Sequence, residues 1–368
     1  MNRTQQEIDR GAWRPPERRR GRGARSNASG RYEAERRLAI DDGWSSPEEA
    51  PALRTEVTIE TPRQVITRNA SPDVPFDRSI NPYRGCEHGC IYCYARPSHA
   101  WLGLSPGLDF ETRLFARPEA PKLLERELAR AGYRCRPIAL GTNTDPYQPI
   151  EREWNIMRGI LEVLDAASHP LTIVTKSHLV TRDIDILARM AGRRLVSVAL
   201  SVTTLDARLA RCMEPRASTP SRRLEAIRRL SAAGVPTGVM VAPVIPALTD
   251  HEIEAILEAA HDAGATHAAW IMLRLPLEVR DLFAEWLAEE TPDRARRILN
   301  RIGAVRGGRL NDPRFGARMR GDGPFAELVA RRFRLARNRL GLDARPPTLD
   351  CTRFTVTPRS SSQRDLDL

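Results

Sequence analysis

The stretch RGCEHGCIYCYARP, residues 84–97, places three of the chain's six cysteines within eight positions. Cys86, Cys90 and Cys93 form a C-x3-C-x2-C run, with Gly85 and Gly89 among them. Such glycines let a backbone fold tightly round a bulky object. Thiolates are ligands for iron–sulfur clusters and for zinc. Three on one loop can hold three irons of a [4Fe-4S] cube, and the open fourth iron is where chemistry can occur. A structural zinc site would want a fourth ligand, which His88 or His99 could supply. A disulfide fits poorly in a reducing compartment.

Outward from this loop the chain alternates. Short apolar, β-branched runs occur at 137–142, 171–176, 195–202, 235–244 and 267–275. Between them, 151–167, 181–191, 219–234 and 250–264 carry apolar residues at i, i+3, i+4, i+7 spacing, which predicts helices. With a strand near 79–83, this gives about six βα units. That number suits an incomplete (β/α) barrel, with a doubly wound open sheet as the alternative. Either architecture binds ligands beyond the C-terminal ends of its strands. The cysteine loop, directly after the first of these strands, falls at that end. No GxGxxG follows a strand and no GxxxxGK[ST] occurs, so neither a Rossmann nor a P-loop nucleotide site has support.

A chain of 368 residues can build a large core without disulfide staples. No apolar run is long enough to span a bilayer, and the start lacks a secretory apolar region. The expected compartment is the cytoplasm, with thiols reduced. The net charge of +11 is uneven: residues 301–368 carry fifteen arginines against seven acids. A basic C-terminal segment can attract phosphate-rich partners. Arginine outnumbers lysine 56 to 2, however, so on charge alone a compositional habit and solvated faces are the better account.

Tyr92 makes the run C-x3-C-x-(aromatic)-C. With the flanks INPYRGCEHGCIYCYARP, GTNTDPYQPIE and APVIP in order, the chain resembles the radical S-adenosylmethionine (radical SAM) superfamily, in its spore photoproduct lyase-related branch. The resemblance covers roughly residues 60–280. It implies an α/β fold, a partial (β/α)6 TIM-like barrel of the radical SAM type. Residues 56–290 would be the barrel, 1–55 a disordered N-terminal extension, 291–345 a helical Arg-rich extension and 346–368 a flexible tail.

The resemblance also implies that Cys86, Cys90 and Cys93 bind a [4Fe-4S] cluster whose open iron takes the amino and carboxylate groups of SAM. Reductive cleavage would then give a 5′-deoxyadenosyl radical that abstracts hydrogen from substrate. By position, Tyr92 would lie against adenine. Asn143, Thr144 and Asp145 would meet the SAM amino group, and Lys176 its carboxylate. Ser201 would contact ribose or carboxylate, and Ala242 adenine through its backbone. An electron donor of flavodoxin or ferredoxin type is implied, and a nucleic-acid substrate is possible. The lyase has a hydrogen-donating cysteine where this chain has Thr142, or Gly141 if the register slips, which separates its own reaction from the shared radical initiation. Cys135, Cys212 and Cys351 are not placed by the motif, and Glu214 and Arg216 fall on the presumed site side. The alternative is a non-catalytic zinc- or iron–sulfur-binding protein associated with nucleic acid.

Overall fold

The computed structural model describes residues 21–33, 53–344 and 347–356. Its strands are β1 (Glu56–Ile59), β2 (Ile66–Arg68), β3 (Arg78–Ile80), β4 (Tyr83–Arg84), β5 (Arg113–Ala116), β6 (Ile138–Leu140), β7 (Leu171–Thr175), β8 (Val196–Ser201), β9 (Thr237–Val244) and β10 (His267–Met272). The main sheet runs β10-β9-β8-β7-β6-β3-β2. Its six strands from β3 to β10 are parallel, and β2 pairs antiparallel with β3 at the edge. The six expected βα units are therefore present, and β2 and β10 do not pair to close the barrel. A smaller sheet, β1-β5-β4, went unanticipated because its short strands carry little alternation.

The parallel strands read as near-continuous apolar runs because both faces are covered. In β8 every residue but Ala199 is buried, and Val196, Val198 and Leu200 have no exposed surface. The connecting helices begin and end where local chemistry dictates. Asp206 Oδ1 accepts from the Arg208 and Leu209 amides (2.7 and 3.1 Å) and starts Ala207–Met213. Helix Pro220–Ala232 opens on proline, and just past its end Gly234, at φ +76, turns the chain into β9. The run at 151–167 predicts one helix, but two form, Glu151–Trp154 and Ile156–Ala166. Asn155 between them is left-handed (φ 52), a conformation asparagine tolerates. The buried Glu151 carboxylate accepts from the Met157 amide at 3.1 and 3.2 Å, and so caps the second helix from within the first.

The C-terminal extension is helical, with Pro292–Ala304 and Pro324–Arg339 as its longer helices. It covers the β10 edge: Phe333 packs on Trp270 (centroids 6.1 Å), and Arg332 forks onto Glu254 at 2.8 and 2.6 Å.

Two segments expected to be disordered or flexible are partly packed. Residues 21–33 hold no regular element, yet Arg22 to Arg25 are buried. Polar contacts fix them rather than apolar periodicity. The Gly23 and Ala24 amides donate to the Glu111 carboxylate (2.9 and 2.8 Å), and Arg25 pairs with Glu289 at 2.6 Å. In the tail, the Asp350 amide donates to Arg194 O and the Thr355 amide to Ala167 O. Phe354 packs against Tyr133 and His169, with centroids 5.4 Å away in each case. The remaining parts of both segments, 1–20, 34–52, 346 and 357–368, lie outside the described residues. Among the described residues no helix is long and apolar enough to cross a membrane.

His169 anchors this tail contact. Its ring has no exposed surface, and its nitrogens meet Tyr133 Oη (2.8 Å) and Pro170 O (3.0 Å). Burial pushes its pKa down to about 4. Because the folded state disfavours the protonated ring, its contribution is complete above about pH 6.5 and declines as pH falls towards 4. The full difference is about 3 kcal/mol. Urea unfolding of the parent and of His169→Gln, followed from pH 7.5 to 4.5, is expected to show a loss of stability in the parent that the variant lacks.

Candidate functional site

The cysteine loop leaves β3 through β4 and lies at the C-terminal ends of the parallel strands. Gly85 and Gly89 both have positive φ (75 and 66). A Cβ at Gly85 would meet Phe110 O at 2.9 Å, and one at Gly89 would meet Glu111 Oε2 at 2.8 Å. The loop backbone is fixed at every turn. The Cys86 amide donates to Phe110 O (2.9 Å), Ile91 to Met213 O (3.0 Å) and Cys93 to Cys90 O (3.1 Å). Gln148 accepts from the Glu87 amide (2.8 Å) and donates to Gly85 O (3.2 Å).

Beneath the loop lies Arg96, with no exposed surface. It donates to Cys90 O (3.0 Å), Gly89 O (3.1 Å), Pro106 O (3.1 Å) and Gly107 O (3.0 Å), and pairs with the equally buried Glu111. Glu111 in turn receives the Gly23 and Ala24 amides. None of these partners stands out in the sequence, since they are scattered arginines, acids and glutamines.

Cys86 and Cys90 are buried and Cys93 half-buried. Burial, the Asp145 carboxylate and the neighbouring thiols push Cys86 up; burial and Glu214 push Cys90 up. Thiolates here therefore need a strongly cationic guest, which a metal centre supplies. His88 Nδ1 faces Asp145 Oδ2 at 3.4 Å. His99 Nε2 lies 2.9 Å from Arg113 O, and burial lowers the pKa of this ring. Among the described residues no three Cys, His, Asp or Glu side chains converge on a single ion. The donor set thus fits a cluster, in which each thiolate takes its own iron, better than a zinc ion closed by histidine.

Around the loop stand the strand-end residues. Tyr92 is buried, and its hydroxyl meets Glu214 and Thr203 Oγ1 (3.2 Å). Glu214 is paired with Arg223, whose other nitrogens donate to Ser201 O (2.9 Å) and Ser218 O (2.8 Å). Thr203 also reaches Ala242 O at 3.3 Å. One buried network thus ties Tyr92, Ser201 and Ala242 together. Lys176 Nζ stands 5.8 Å from the Tyr92 ring centroid. Glu214 and Arg216 do not pair with each other; Arg216 meets Glu87 at 3.0 Å. Thr203 and Arg223 went unremarked in the sequence, because a threonine after a strand and an arginine in an Arg-rich helix carry no signal.

The 141–146 turn divides its duties. Asn143 is exposed, its amide held by Asn81 Oδ1 (3.1 Å). Thr144 turns inward and donates to Tyr83 O (3.1 Å). Asp145 accepts from the Lys176 amide and Thr175 Oγ1 (both 2.7 Å) and from the Tyr147 amide (2.9 Å). Although burial opposes it, His88 and these donors hold Asp145 down at about 2. Its carboxylate therefore organises β7 and the cysteine loop. Thr142 lies beside Asn81, and its carbonyl accepts from the Tyr94 hydroxyl. Cys135 lies near the opposite end of β6, within reach of Cys351 and pushed up to about 12 by burial and that neighbour. Cys212 packs behind the loop in the apolar cluster that contains Cys90 and Tyr92.

The radical SAM superfamily profile matches residues 80–260, from the end of β3 into helix Ile253–Asp262. These residues are similar to a radical SAM superfamily domain. An uncharacterized protein of Mycobacterium tuberculosis (strain H37Rv) is 41% identical over 222 residues, covering 60% of this chain and 65% of that protein. Another, from Methanocaldococcus jannaschii, is 28% identical over 173 residues, covering 47% and 62%. The match thus spans under two thirds of either relative's length. Among solved structures, a point mutant of spore photoproduct lyase superposes with TM-score 0.57 at 15% identity, covering 81% of this chain and 86% of that one. Spore photoproduct lyase complexed with dinucleoside spore photoproduct gives 0.56 at 15%, covering 77% and 79%. These likenesses establish the shared fold, an open TIM-like α/β architecture.

Glu111→Ala removes the carboxylate and leaves the Arg96 guanidinium buried without its counter-charge. Breaking such a pair costs about 3–5 kcal/mol. Guanidinium unfolding is expected to show that loss, and limited proteolysis to show cutting near the freed Gly23–Ala24 segment.

Proposed function

We propose that the protein is a radical SAM enzyme whose [4Fe-4S] cluster is held by Cys86, Cys90 and Cys93. The observation that carries this reading is the loop itself: three cysteines on one tightly held loop at the mouth of six parallel strands, with His88 turned to Asp145. Bound there, a cluster with one open iron would supply reductive cleavage of SAM to a 5′-deoxyadenosyl radical. The chain's residues supply the rest. Tyr92, held at its hydroxyl by Glu214 and Thr203, offers its ring to adenine. Lys176, with no carboxylate partner among the described residues, offers its ammonium to the SAM carboxylate. Asn143 presents an exposed amide towards the amino group, while Thr144 and Asp145 shape the turn beneath it. Ser201 and the Ala242 backbone line the ribose and adenine side. The electron comes from a reducing donor of flavodoxin or ferredoxin type.

The substrate we assign is nucleic acid, supported by the fold shared with spore photoproduct lyase and by the basic C-terminal segment, residues 301–368. Thr142 lacks a thiol, and an alcohol O–H is a poor hydrogen-atom donor. The reaction therefore shares its initiation with the lyase and differs in how the substrate radical is quenched.

Anaerobic reconstitution is expected to give roughly four irons per chain, and dithionite with SAM to give 5′-deoxyadenosine and methionine. Cys90→Ala abolishes both. Stoichiometric zinc with no iron uptake, or a full cluster without SAM cleavage, overturns the reading. His88→Ala retains iron, since this ring is no ligand; loss of metal in that variant points instead to the zinc protein.

A further inference from the structure

The mouth of the barrel holds a second cation whose charge is unanswered. Arg216 pairs with Glu87, Arg223 with Glu214 and Arg318 with Asp73. Arg274, two residues past β10, makes no hydrogen bond and no ion pair among the described residues. Its one close partner is the ring of Tyr94, 4.2 Å from guanidinium carbon to centroid. Tyr94 directly follows Cys93, is 44% exposed, and bonds through its hydroxyl to the Thr142 carbonyl at the end of β6. Arg274 thus stands beside the cysteine loop.

The surroundings leave this guanidinium among cationic neighbours. Burial lowers the pKa of Arg274, and nearby Arg318 adds to the effect, with Tyr94, Asp73 and the Cys93 thiol opposing it. Asp73 is itself committed to the Arg318 fork and to the Gly316 amide (3.2 Å). The Gly- and Arg-rich stretch at 306–325 folds back over the end of β10: Arg306 donates to Met272 O (3.1 Å) and Leu273 O (2.6 Å). Arg274 is therefore held between Tyr94 and a cationic neighbour with its donors unspent. A planar guanidinium on an aromatic face is suited to bidentate capture of an oxyanion.

We propose that Arg274 is the substrate's anion subsite, binding a phosphate group of the molecule presented to the cysteine loop. This rests on the reading of the mouth as the site of a radical SAM enzyme acting on nucleic acid. Lys176 then serves the carboxylate of SAM and Arg274 the phosphate of substrate, two unpaired cations for two anions.

The test titrates anaerobically reconstituted protein with SAM into a fluorescein-labelled thymidine hexanucleotide across a salt series. Arg274→Met is expected to weaken binding about tenfold and to reduce the slope of log affinity against log salt by about one. Arg274→Lys recovers part of the affinity. Arg228→Met, which alters a surface pair with Glu225, leaves binding unchanged. Iron content and SAM affinity stay at parental values in all variants, which separates lost binding from lost folding. Equal affinity and slope in Arg274→Met overturn the proposal. If the parent binds no oligonucleotide, the nucleic-acid reading fails, and pyrophosphate titration by phosphorus NMR decides the subsite. Line broadening lost in Arg274→Met sustains it; no broadening, or broadening indifferent to Arg274, overturns it.

Discussion

The buried pair between Arg96 and Glu111 is the constraint on which the mouth of the barrel depends. A loop that turns three thiols inward must also turn backbone carbonyls somewhere, and in a dry interior each needs a donor. Arg96 supplies the donors for Gly89 and Cys90, and for Pro106 and Gly107 beyond. Its own charge is then affordable only because Glu111 lies against it with neither side chain exposed. Glu111 spends its remaining capacity on two amides of the chain's early segment. One ion pair therefore couples the cysteine loop, the helix leading to β5 and residues 23–24.

A second buried pair, Glu214 with Arg223, performs the corresponding task for the strand ends. It orients the Tyr92 phenol and binds the Ser201 carbonyl. Both acids sit in sequence among many others and both arginines among fifty-six. The consequence is that most charged residues near the mouth are structural, so an unpaired cation there carries information. Among the described residues, this applies to Lys176 and Arg274.

Much of the fold was legible because parallel strands and amphipathic helices imprint their periods on sequence. β6 to β10 fall inside the five apolar runs, and the cysteine loop falls after the strand expected near 79–83. The small sheet was not legible: β4 has two residues and β5 four, too short to show alternation. Residues 21–33 were misjudged for another reason. Their order comes from polar bonds to Glu111, Glu285, Glu289 and Asp109, which no periodicity advertises. The helix break at Asn155 has the same origin, a buried carboxylate satisfying amides that a continuous helix would have served.

The site was legible unevenly, and the unevenness has a physical pattern. Cysteines and glycines are rare and spatially demanding, so their spacing declares the loop. The GTNTDP turn declares only its position, because short polar side chains serve ligands and backbones alike. There the structure divides the set: Asn143 faces out, while Thr144 and Asp145 hold Tyr83 and Lys176 from within. Asp145 shows why the distinction matters. A carboxylate that accepts two amides and a hydroxyl, and faces His88, has little left to offer an ammonium. Its effect on a ligand is exerted through the groups it places: the Lys176 backbone on one side and the cysteine loop, through His88, on the other. The same residue that reads as a contact in sequence thus acts in the fold as the joint between the two halves of the site.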